Sequence, residues 1–198
     1  MKLDVIELKE FYSGTELGRT TKQLINRVLG PKINSGIGSL TIGFGFACPF
    51  LEDEIKISQN KDFRLLMPSE QGVVSCPEEP KSVSALVDEV SWPINTSSAD
   101  IILISHGLEV SNNQDLLLQE VLRVLKDSGK LVILVPNRTG FWARSDSTPF
   151  GYGKPYSISQ LTALLQKNQF QIDSITPSLY GFPAKKGYWL KSLSVSYT

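Results

Sequence analysis

Two stretches of consecutive apolar residues, Ile101–Ile104 and Leu131–Val135, constrain this chain more than any other feature. A strand exposed on one face alternates apolar and polar residues, whereas a strand covered on both faces is apolar throughout. Between the two runs lies Asn113–Lys126, where Leu116, Leu117, Val121, Val124 and Leu125 recur at helical spacing. Buried strand, amphipathic helix, buried strand is the pattern of a parallel βαβ unit.

The same alternation extends in both directions. Leu17–Leu29 carries a helical apolar stripe that Gly30-Pro31 is expected to stop. Ser39–Phe44 reads as a buried strand entering a glycine turn, Phe63–Met67 as a strand closed by Pro68, and Ala85–Val87 as a short third strand. Asp100–Ser105 and Lys130–Val135 are the strands of the opening pair, with Asp127-Ser128-Gly129 ending the helix between them. Ser157 or Ser159 caps a helix running through Leu161, Leu164 and Leu165 to Lys167. Phe170–Ile175 alternates and reads as an edge strand. The expectation is one α/β domain over residues 1–198, with a mostly parallel central sheet flanked by helices. Right-handed crossovers would place the strand C-termini on one edge, where ligands bind in such sheets.

Charge and cysteine usage narrow the function. Twenty basic residues balance twenty acidic ones, so the chain offers no overall positive field and no nucleic-acid partner is expected. Charges interrupt the apolar residues of Met1–Thr20, and no apolar run is long enough to span a bilayer. No membrane association is expected, and the expected compartment is the cytoplasm. Cys48 and Cys76 are expected to stay unpaired, and with one histidine and no Cys-x-x-Cys no metal site is expected.

The chemistry concentrates in Leu40-Thr41-Ile42-Gly43-Phe44-Gly45-Phe46-Ala47. A strand that turns sharply beneath a ligand needs glycine where a side chain would block positive φ or close approach. The helix that follows can open at Pro49 and present its N-terminus to a polar ligand. Gly45→Val, which adds a β-branched side chain, is therefore expected to abolish ligand binding and spare the fold. A nicotinamide-binding fingerprint would want glycine where Cys48 stands, which disfavours that oxidoreductase reading.

Gly43-Phe44-Gly45-Phe46-Ala47 resembles motif I of class I S-adenosylmethionine-dependent methyltransferases, with alanine in place of the third glycine. Ser91–Asp100 resembles the family's approach to strand four, and His106-Gly107-Leu108-Glu109 is similar to the His-x-Leu-Glu stretch of type 11 members. Glu120–Leu131 looks like that family's helix, turn and strand five, so the resemblance covers about residues 40–137 in the right order. Asp4–Leu29, Met67–Val74, Asn137–Arg144 and Pro149–Leu161 resemble a bacterial type 11 branch of unassigned substrate. That branch finishes its sheet with an antiparallel strand. This sequence has no secure counterpart for it through Ser192–Thr198, so the C-terminus looks shortened.

The resemblance implies a Rossmann-like fold that binds S-adenosyl-L-methionine through Gly43, Gly45 and Ala47. Glu70 stands where the family's ribose-binding carboxylate would be, and reads equally as a solvated loop residue. Asp88 follows strand three, where the adenine amino group would be met. His106 is implied as a cofactor-pocket residue and as a candidate general base, against the common fate of a packing histidine. Asn137, Arg138, Trp142, Arg144, Tyr152 and Tyr156 are candidates for a substrate lid. The expected activity is methyl transfer to a small-molecule acceptor; the competing expectation is a degenerate fold that binds cofactor or a protein without catalysis. An uncovered final sheet edge would promote self-association.

Overall fold

The computed structural model describes residues 4–33, 40–58, 62–79, 81–179 and 181–183. Within them the strands are β1 (Leu40–Gly45), β2 (Asp62–Pro68), β3 (Ser84–Val87), β4 (Ala99–Ser105) and β5 (Leu125–Leu134). They form one sheet in the order β3-β2-β1-β4-β5, and every pairing is parallel. The expected α/β architecture is therefore present. The order reverses between β1 and β4, and in open sheets of this kind ligands bind beyond the strand C-termini at such a point.

Successive residues of each strand face opposite layers. Leu65, Met67 and Leu103 enter one core with Ile25 and Leu29 of α2 (Glu16–Ile33) and Phe50 and Leu51 of α3 (Cys48–Ile57). Ile42, Phe44, Leu66, Ile102 and Ile104 enter the other core. There they meet Leu117, Leu118 and Val121 of α4 (Gln114–Val124) and Leu165 of α5 (Ile158–Lys167). Both faces of β1 and β4 are covered, which is why their sequences are apolar without alternation.

Local signals set most helix starts. Ser157 is the cap of α5, and it forms a reciprocal box with Gln160. Asn113 caps α4 by accepting from Leu116 N at 3.1 Å. Pro49 sits in the first turn of α3. The sequence reading did not foresee α1 (Val5–Lys9), which is boxed by Asp4 and Glu7 and runs into a π-helical turn at Glu10–Gly14.

Four expectations are corrected. Gly30-Pro31 does not stop α2, which is helical through Ile33; Pro31 lies in the last turn, where one missing N–H weakens the helix without breaking it. Asp127-Ser128-Gly129 is not a turn between elements. It lies within β5, where the register steps from Ala99↔Leu125 to Ile101↔Lys130, so the extra residues bulge out of the ladder. Phe170–Ile175 forms no strand. Phe170 and Ile172 pack on the second core, and a cavity of about 1090 Å³ lies between this segment and β5, lined also by Leu29 and Leu161. Finally, Cys48 and Cys76 are joined in a disulfide across 28 residues, with Cα atoms 6.1 Å apart. The connection after β2 folds back over the start of α3, a proximity that sequence spacing does not reveal. The tail Ser192–Thr198 lies outside the described residues.

Candidate active site

The turn after β1 is shaped by two glycines with different duties. A Cβ on Gly43 would stand 2.6 Å from Leu65 Cδ2 and 2.8 Å from Ala47 Cβ, so its absence lets α3 close onto β2. Gly45 has φ +76°, and a Cβ there would stand 2.4 Å from the Ser105 carbonyl oxygen and 3.0 Å from Gly107. The ends of β1 and β4 thus approach closely, and Phe46 N donates to Ser105 O at 2.7 Å. Ala47 is buried and is the cap residue of α3.

His106 follows at the end of β4 in a left-handed conformation, φ +50°, and is only 4% exposed. Its Nε2 lies 2.7 Å from the Tyr12 hydroxyl, and its carbonyl accepts from Gln71 Nε2 at 2.6 Å. Its ring centroid is 5.1 Å from that of Phe150. Three residues on, Glu109 is buried with both carboxylate oxygens lacking a hydrogen-bond partner. His106 Nδ1 stands 3.3 Å from Glu109 Oε1 without making a directed bond. The Ser105 hydroxyl is likewise buried and unpartnered. Burial, and then the negative charge of Glu109, push the phenols of both Tyr12 and Tyr156 above the ordinary tyrosine range. Both hydroxyls therefore stay neutral and remain donors at physiological pH.

The other sequence candidates separate. Glu70 accepts from Asn112 Nδ2 at 2.9 Å, which joins the loop after β2 to the one after β4 beyond the strand C-termini. Asp88 accepts from Val90 N at 2.9 Å within its own turn. Its neighbour Glu89 bonds the Ser111 hydroxyl and accepts from Asn112 N at 3.4 Å, so Glu89 reaches toward the loop after β4. In the proposed lid, Tyr156 donates to Leu108 O at 3.3 Å, beside the His106–Glu109 turn. Trp142 is buried and donates to Gly181 O, while Tyr152 bonds Asp146 O and Asn137 closes a local turn with Thr139. Those three serve the loop's own packing.

Sequence reasoning missed Tyr12, Gln71 and Ser105 as site residues, and it gave Glu109 no role. Glu109 had a signal in the His-Gly-Leu-Glu string. Tyr12 had none, because its contact with His106 spans 94 residues. Among the described residues, no group of three or more His, Cys, Asp or Glu could hold a metal ion. No helix among them is long and apolar enough to cross a membrane.

Residues 68–133 match a family model described as a methyltransferase domain. Solved structures with the same architecture include a SAM-dependent methyltransferase from Aquifex aeolicus. It is 14% identical, with TM-score 0.66, over 89% of this chain and 94% of that one. This is the class I methyltransferase fold. A SAM-dependent methyltransferase from Thermotoga maritima is 16% identical with TM-score 0.60, covering 84% of this chain and 85% of that one. A third, from Archaeoglobus fulgidus, is 18% identical with TM-score 0.60, covering 76% and 69%. No curated protein sequence matches the chain. The matched stretch includes Glu70, Asp88, His106 and Glu109, and the glycine turn lies outside it.

Proposed function

We propose that this chain binds S-adenosyl-L-methionine at the crevice between β1 and β4 and transfers its methyl group to a small-molecule acceptor. The observation that carries the reading is the turn of Gly45 against Ser105–Gly107 at the point where strand order reverses. The residues there suit the cofactor chemically. The unpartnered carboxylate of Glu109 and hydroxyl of Ser105 can meet a cationic ligand that carries hydrogen-bond donors. In this proposal Gly43, Gly45 and Ala47 hold the turn, Glu70 serves the ribose side and Asp88 the adenine side. When bound, the cofactor supplies an electrophilic methyl on a sulfonium, which needs no metal or covalent enzyme intermediate.

What the protein must then do is hold donor and acceptor in line and keep water away, and orientation of this kind can supply much of the acceleration. Tyr12 and Phe150 pack against the His106 ring, and Phe46 and Phe50 pack in turn on Tyr12, which keeps this position from bulk water. In this role His106 takes the acceptor's proton at Nε2, once the Tyr12 hydroxyl yields that position. Titration calorimetry and thermal shift with S-adenosylhomocysteine test the reading. Saturable heat and a raised melting temperature are expected. Neither signal at millimolar ligand would overturn cofactor binding, and binding with no methyl release on any hydroxyl or amine acceptor would overturn catalysis.

A further inference from the structure

We propose that Glu109 is the anionic seat for an ammonium group of the ligand. A buried carboxylate normally spends its lone pairs on hydrogen bonds, and leaving them open costs several times a typical surface interaction. Glu109 is 2% exposed, and neither of its oxygens has a partner. The neighbouring side chains do not close that deficit. His106 already engages Tyr12 through Nε2, so even a doubly protonated ring could satisfy Oε1 alone, from 3.3 Å. Lys154, the nearest cation in the covering loop, touches Glu109 through its backbone: its N–H donates to the Glu109 carbonyl at 2.7 Å.

The surroundings add the second half of cation recognition. Tyr12 packs edge-on to Phe50 at 5.4 Å and stacks with Phe46 at 6.2 Å, and the ring of Phe150 leans on His106. Tyr12 bonds the His106 ring whose Nδ1 faces Glu109, and Tyr156 donates to the carbonyl of the preceding Leu108, so two phenols stand near the carboxylate. Aromatic faces beside a carboxylate attract a protonated amine and discriminate against its neutral isostere. The cover is the irregular stretch around Pro149–Tyr156, where Gly153 lies so close that a Cβ would stand 2.6 Å from Glu109 O. A ligand reaches the seat by displacing that stretch.

This inference deepens the methyltransferase reading and rests on it for the ligand's identity. The ammonium has two sources, the cofactor's amino-acid end or an amine acceptor. Calorimetry on the wild type and Glu109→Gln with two probe pairs separates them. One pair is S-adenosylhomocysteine and its deaminated analogue, which keeps the carboxylate but lacks the ammonium; the other is phenethylamine and phenethyl alcohol. In the wild type, the ammonium member of at least one pair is expected to bind about tenfold tighter than its neutral partner. That advantage should vanish in Glu109→Gln and survive in Glu109→Asp. The pair that shows it names the source. No advantage in either wild-type pair, or an advantage retained by a folded Glu109→Gln, would overturn the proposal. If Glu109→Gln does not fold, Glu109→Met takes its place, and an advantage retained there would do the same. Failure of both adenosyl probes to bind the wild type would instead sink the methyltransferase reading, while the phenethyl pair still judges Glu109.

Discussion

At the residue scale, Gly45 shows how a binding motif and a folding requirement can share one position. Its place in a Gly-x-Gly string made it a ligand residue on sequence grounds. The structure adds that a Cβ there would meet a backbone carbonyl at 2.4 Å, and that φ is +76°. A left-handed alanine costs roughly 1–2 kcal/mol on its own. The clash with Ser105 can be relieved only by parting β1 from β4, so Gly45→Ala is expected to cost at least about 2 kcal/mol in total. Urea denaturation reads this directly. An alanine variant as stable as the wild type would mean the close approach is not required, and that the glycine serves the ligand alone. The expectation that a substitution here spares the fold is therefore replaced. Glu109 teaches the converse. Its letter was visible beside His106, but its missing partners follow from burial by Tyr12 and the 149–156 stretch, which no local pattern encodes.

At the element scale, the sequence was legible wherever one local signal dominates. Continuous apolar runs located β1, β2, β4 and β5; of the two serines offered as a cap, Ser157 is the one used, and the periodic stretch from Asn113 located α4. Errors fell where distant packing outweighs the local cue. Pro31 is carried in the last turn of α2, and residues 126–129 are drawn into β5 as a bulge against β4. The disulfide belongs to the same class, since it ties the first turn of α3 to the connection between β2 and β3. Closing a loop of 28 residues in the unfolded chain is worth about 3.5 kcal/mol in the chain-entropy model. Reduction, or Cys48→Ser, is therefore expected to lower the melting temperature by on the order of 10 °C. Equal melting of the oxidised protein, the reduced protein and the variant would show that the bond contributes nothing to stability.

At the scale of the whole molecule, the sheet has one edge strand, β3, that is short and another, β5, that is long. Among the described residues β5 pairs only with β4, so its other side presents backbone donors and acceptors. Proteins blunt such edges with charge, and here Lys126, Asp127 and Lys130 guard only the first half. Leu131–Leu134 form the second half, half-buried beside the cavity that the missing Phe170–Ile175 strand leaves. An unguarded apolar edge is most simply completed by the same edge of a second copy. Two β5 strands related by a two-fold axis run antiparallel and would extend the sheet across both molecules. The expectation is a mass that rises with concentration in sedimentation velocity. Amide protection at Leu131–Leu134 should rise in step, and both effects should be lost in Ile133→Lys. A monomer at every concentration, with those amides already protected when dilute, would show that the chain completes β5 by itself, and the association argument would fail.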